Sequence, residues 1–176
     1  ITGAAPVPVP PPMPAVMNNM CAPSIAARPQ VDEDELVERL VTTMKRIRPD
    51  VVVGFWPASG ATGHEDHMEM GRVTELAIAQ LKEEGGAYDG PDHLVYTISP
   101  TTALSIFGGE QGAHVVANQP DPEYAMSAEV GKKHEGWRIH ASQADYLQSA
   151  YSLPAWLVYL LWDQEFYHVR DLTADP

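Results

Sequence analysis

His64, Asp66 and His67 bring two imidazoles and a carboxylate within four residues. Such a set can divide labour, with one ring as a metal ligand, the other as a proton donor, and the aspartate orienting a ring through its second nitrogen. A hydrolytic metal site needs these parts, because the ion lowers the pKa of bound water and a nearby acid protonates the leaving amine. The same spacing also serves plain helix capping. Asp66 alone suffices as an N-cap, and a capping His-Asp pair needs no metal. Both readings stand on the residues alone. A structural zinc of four ligands is disfavoured, because Cys21 is the lone thiol.

The elements around this cluster decide where it sits. Asp32-Glu33-Asp34-Glu35 precedes Leu36, Val37, Leu40, Val41, Met44 and Ile47, which predicts a helix over 33–47 with Asp32 as N-cap and Glu35 as its reciprocal carboxylate. Arg48-Pro49-Asp50 stops it. Val51 to Phe55 follows as a continuous apolar run, the pattern of a strand buried on both faces of a parallel sheet. A Gly- and Ala-rich loop from Trp56 to Gly63 leads into the cluster, and Met70, Val73, Leu76, Ala77 and Leu81 mark a second helix ending at Gly85-Gly86. The cluster therefore lies beyond a strand's carboxyl end at a helix start, where open α/β sheets collect ligands.

Further on, 93–98 reads as a strand, 99–122 as a connection of little periodicity, and about 127–148 as a third helix interrupted by Gly131 and Gly136. The tail from Leu153 to Leu172 suits helix or strand. Asp121 and Glu123 read as solvated loop charges, and His114 and His168 have no partner pattern. Trp56 suits sugar stacking or core packing. Residues 1–30, with Pro10, Pro11 and Pro12 consecutive, read as an extended loop or linker, and 31–176 as the carboxyl-terminal part of one domain.

Length and charge narrow the classes. The chain has 176 residues and a formal net charge of -13, with 44% hydrophobic and 20% charged residues. That is material for a packed core, and the acidic balance opposes a nucleic-acid or anionic-membrane partner. The longest apolar run, Leu153 to Trp162, contains Pro154 and falls short of the about 20 residues of a membrane span. A soluble protein is expected, with the cytoplasm slightly favoured. No Walker loop or dinucleotide fingerprint is present, so nucleotide binding has no support.

The ordered series Arg48-Pro49-Asp50-Val51-Val52-Val53, Gly63-His64-Glu65-Asp66-His67 and His140-Ala141-Ser142-Gln143 resembles the second half of the PIG-L/LmbE-type zinc-dependent N-deacetylases. The resemblance covers about Asp32 to Gln143. It implies a Rossmann-like, mostly parallel α/β sheet and hydrolysis, with a bound zinc, of the amide of an N-acetyl or N-acyl amino sugar in a small-molecule glycoside, a glycolipid or a glycosylated natural product. It also implies that His67 is a zinc ligand, that His64 is the general acid and oxyanion stabiliser, and that Asp66 supports His64. Glu65 departs from the family's proline. His140 matches a recurring position and reads as a buried helix histidine in a supporting role.

The family's amino-terminal His-Pro-Asp-Asp element, which supplies further zinc ligands and the general base, has no match here. One imidazole does not hold a catalytic zinc, which takes three protein ligands. Together with the start at Ile1-Thr2-Gly3, this leads to the expectation that a second polypeptide carries the amino-terminal half. The alternatives are an inactive fragment and a non-catalytic binding relative of the same fold.

Overall fold

The computed structural model describes residues 31–102, 105, 109–140 and 163–173. Helix α1 spans Glu33–Ile47, and Asp32 caps it by accepting from the Asp34 backbone N–H at 2.9 Å. Glu35 does not close the reciprocal cap; its carboxylate pairs one turn on with Arg39. Val37, Val41 and Met44 form the buried stripe. Arg48 turns into the left-handed region at φ 53° and gives its N–H to the Met44 carbonyl, so the chain leaves the helix at Pro49.

Strand β1, Val51–Phe55, is followed by helix α2, Glu65–Glu84, and strand β2, His93–Ile98. β1 and β2 pair in parallel, from Val51 opposite His93 to Phe55 opposite Thr97, and α2 is the crossover that parallel pairing requires. Helix α3, Gly109–Asn118, strand β3, Tyr124–Ser127, helix α4, Val130–Ile139, and strand β4, Gln164–Asp171, complete the described elements. The sheet order is β1-β2-β4-β3, with β4 antiparallel to both β2 and β3.

Several expectations change. The class is α/β, but the described sheet is mixed, with one parallel and two antiparallel pairings, rather than mostly parallel. A strand's side-chain pattern records which face is covered and carries no information on the direction of its neighbour, so the tail resolves as an antiparallel strand. The stretch 99–122 holds a helix. The third helix starts at Val130, later than expected, because 124–127 pair with β4 instead. Its expected continuation over 141–148, the Leu153–Trp162 run and residues 1–30 lie outside the described residues.

β1 is not covered on both faces. Val52 and Gly54 lie on the helix side, where a Cβ on Gly54 would touch Leu94 and Thr74, whereas Val51 and Val53 are 49% and 63% exposed. Among the described residues β1 is an edge strand, and helices α1 and α2 line one side of it. The core sits on that side: Val37, Val41 and Met44 from α1, Val73, Ala77, Ile78 and Leu81 from α2, and Leu94, Tyr96 and Ile98 from β2. Each fully buried aliphatic of this set contributes about 1.5–3 kcal/mol over its exposed state. Lys45 of α1 pairs with Glu84 of α2 at the rim.

Two features seat α2. A Cβ on Gly71 would come within 2.5 Å of the Phe55 carbonyl oxygen and 3.1 Å of the Pro57 Cα, so the helix rests directly on backbone at the end of β1. Beneath it the Tyr96 hydroxyl, on a side chain only 1% exposed, donates to Glu75. Burial, and then the Glu75 carboxylate, push the Tyr96 phenol well above its ordinary value.

Gly71→Ala gains helix propensity of about 1 kcal/mol, yet overpacking of about 1–3 kcal/mol opposes it; a net loss of stability in urea denaturation is the expected outcome. Tyr96 makes a pH prediction. An unfolded tyrosine ionises near about pH 10 while the buried one stays protonated, so its contribution is complete below that pH and is lost as pH rises. Urea midpoints taken at pH 8 and pH 10.5 should fall less in Tyr96→Phe than in the parent.

Candidate functional site

The site is built by the loop between β1 and α2. Gly60 donates to the Trp56 carbonyl at 2.7 Å, Gly63 donates to the Ser59 carbonyl at 2.7 Å, and Gly60, Ala61 and Gly63 all take positive φ. This is a tight coil rather than an open loop. The buried Ala61 carbonyl accepts from the Ser99 hydroxyl at the end of β2. Trp56 is half-buried, meets the Tyr96 ring edge-on at 4.9 Å and donates from its indole nitrogen to the Asn118 carbonyl at 2.8 Å. It therefore packs against the core and ties α3 to the loop.

His64 is the N-cap of α2. Its Nδ1 accepts from the Asp66 backbone N–H at 3.1 Å, so in the neutral ring Nδ1 carries the lone pair and Nε2 the hydrogen. Capping is thus realised, but by His64: Asp66, expected as the N-cap, lies inside the first turn and supplies the N–H, and the cap does not exclude the chemical reading. Asp66 meets His64 through its backbone N–H, and its carboxylate oxygen lies 3.9 Å from the same Nδ1.

His67 is held in the opposite sense. Its Nδ1 stands 3.1 Å from the Gly60 carbonyl oxygen and 2.8 Å from the Thr62 hydroxyl. A carbonyl oxygen only accepts, so the hydrogen belongs on Nδ1 and the lone pair on Nε2. The ring also stacks on Phe55, with centroids 4.3 Å apart and planes 1° from parallel. The His64 and His67 ring centroids are 5.3 Å apart. One imidazole therefore presents an N–H and its neighbour a lone pair.

A metal-ligating histidine ordinarily gives its other ring N–H to a carbonyl or carboxylate, and His67 has that arrangement. A catalytic zinc also needs two more protein donors, and no group of three His, Cys, Asp or Glu able to hold an ion occurs among the described residues. The donor set is incomplete among the described residues.

Other expected residues are placed differently. His140 is exposed at the end of α4, where its N–H meets the Gly136 carbonyl, and is not buried within a helix. Glu123 is more than a solvated charge: it accepts from the Val169 N–H at 3.0 Å, and its other oxygen lies 3.4 Å from His168. Thr62, Gln111 and the Phe55 ring were invisible as site residues in the sequence. The adjacency of Thr62 to Gly63-His64 is the signal that could have pointed to it.

Three relatives are similar to this chain, each named 1D-myo-inositol 2-acetamido-2-deoxy-alpha-D-glucopyranoside deacetylase. The protein from Nocardia farcinica is 32% identical over 108 residues, covering 61% of this chain and 32% of the relative. That from Corynebacterium urealyticum is 34% identical over 68 residues, covering 39% and 20%. That from Rhodococcus jostii is 29% identical over 116 residues, covering 59% and 36%. The chain spans about a third or less of the length of these relatives. No family model and no solved structure matches it. Among the described residues, no helix is long and apolar enough to cross a membrane.

The capping role of His64 is separable by substitution. His64→Ala should lose about 1 kcal/mol in urea denaturation, and His64→Asn, whose amide oxygen can accept the same N–H, should recover most of it. Equal stability of all three proteins would remove the cap from the account.

Proposed function

We propose that the chain is part of a deacetylase that hydrolyses the acetamide of an N-acetyl amino sugar in a small glycoside, with an acetamido-glucosyl inositol as the nearest substrate class. The observation that carries the reading is the pair of oppositely held imidazoles at the carboxyl end of β1. The names of the three relatives support the same chemistry.

Amide hydrolysis needs a donor for the carbonyl oxygen as negative charge develops, and an acid for the departing amine. The Nε2–H of His64 meets the first need. To protonate the amine as the C–N bond breaks, the same nitrogen acts from the cationic ring, so that loss of its proton returns a neutral imidazole; in that cation the Nδ1 hydrogen displaces the Asp66 backbone N–H and faces the Asp66 carboxylate oxygen 3.9 Å away. His67 keeps its Nε2 lone pair available as a donor atom. The zinc implied by the resemblance would polarise the acetyl carbonyl and activate water, taking His67 as one ligand and the others from outside the described residues.

A second polypeptide carrying the remaining ligands belongs to the same proposal. Its support is β1, which among the described residues is an edge strand with Val51 and Val53 exposed, a combination that natural sheets usually cover.

Acetate release from an N-acetylglucosaminyl inositol, followed with zinc added, is the direct test. The expected outcome is turnover that His64→Asn lowers by about 10²- to 10⁴-fold with its cap intact. Turnover unchanged in that variant would overturn the role of His64, and no release by protein with stoichiometric zinc and its partner bound would overturn the activity. Native mass spectrometry reports the partner: a second polypeptide is expected, and a lone 19.2 kDa species would remove it.

A further inference from the structure

We propose that Thr62 and Gln111 are positioning residues for His67, linking helix α3 to the imidazole through the site loop. The proposal rests on the reading of His67 above only where turnover is concerned.

Stacking on Phe55 fixes the plane of the His67 ring but not its sense. A 180° flip about χ2 keeps the stack and exchanges Nδ1 with a carbon. The edge contacts therefore choose the orientation. Two are present: the Gly60 carbonyl at 3.1 Å and the Thr62 hydroxyl at 2.8 Å, both on Nδ1. In the flipped ring both would face carbon, and the Nδ1 hydrogen would lose both partners.

Thr62 is exposed; its hydroxyl donates to the Gly60 carbonyl at 3.5 Å, which leaves its oxygen to accept from the His67 Nδ1–H, and its backbone is anchored from α3. Gln111, in the first turn of α3, donates from Nε2 to the Thr62 carbonyl at 2.8 Å. Gly63, at φ 76°, permits this approach, since a Cβ there would come within 2.8 Å of the Gln111 Cγ and 3.1 Å of its Nε2. Hydrogen bond and close approach together hold residues 62–63 against α3. The sequence Gln111, Thr62 carbonyl, Thr62 hydroxyl, His67 Nδ1 is thus continuous. It keeps the hydrogen on Nδ1 and leaves Nε2 unprotonated, as a donor atom toward an electrophile.

The test is the ring tautomer, read from long-range ¹H–¹⁵N correlations of ¹⁵N-histidine-labelled protein at pH 8. In the parent and in Thr62→Ser, His67 is expected mainly as the Nδ1–H form. In Thr62→Val the Nε2–H share should rise several-fold, and Gln111→Leu should move it the same way by less. A parent in which Nε2–H dominates overturns the proposal, and this measurement needs no variant to fold. So does a folded Thr62→Val with the parent's tautomer. If the chain deacetylates, Thr62→Val should lower kcat by about 10- to 100-fold with KM within about twofold, and Thr62→Ser should restore it. Absence of turnover in every form counts against the deacetylase reading alone, because the tautomer result decides the positioning role independently.

Discussion

The close approach of Gly71 to the Phe55 carbonyl is the constraint on which the rest of the site depends. It lets helix α2 lie on the backbone at the end of β1, with no side chain between them. His64 and His67 belong to the first turn of the same helix, so their height above the sheet follows from that seat. Phe55 then serves twice: its carbonyl meets Gly71, and its ring stacks on His67. The core below, from Val73 to Leu81 against Leu94 and Tyr96, makes the seat stiff.

On this base the proposed chemistry rests on hydrogen-bond polarity. A backbone N–H placed at Nδ1 of His64 and a backbone carbonyl placed at Nδ1 of His67 leave the two outer nitrogens in opposite states. The difference between two identical side chains three residues apart starts from the main chain, where a helix N-terminus offers donors and the coil before it offers acceptors, and at His67 the Thr62 hydroxyl adds to it. That division suits hydrolysis, which needs a proton donor and a lone-pair donor in one place.

The sheet itself is one-sided among the described residues. Helices α1 and α2 lie along one face of β1 and β2, while Val51 and Val53 on β1, and Tyr124 and Met126 on β3, are exposed. An α/β sheet with helices on both faces would hide such residues.

Much of this was legible in the sequence by itself. The 3.6-residue period over 33–47 and 65–84 and the apolar runs at 51–55 and 93–98 determined the helices and strands that frame the cluster, because local periodicity records which face is buried. The cluster's place at a strand-to-helix junction followed from the same pattern. What the tertiary structure alone decided was pairing and polarity. The antiparallel docking of β4, the open face of β1 and the exposure of His140 depend on neighbours distant in the chain. So do the Gln111 contact, 49 residues from Thr62, and the Trp56 bond to Asn118, 62 residues away. Sequence spacing tells which residues share a turn; which nitrogen of an imidazole bears the hydrogen is settled by the atoms that folding brings against it.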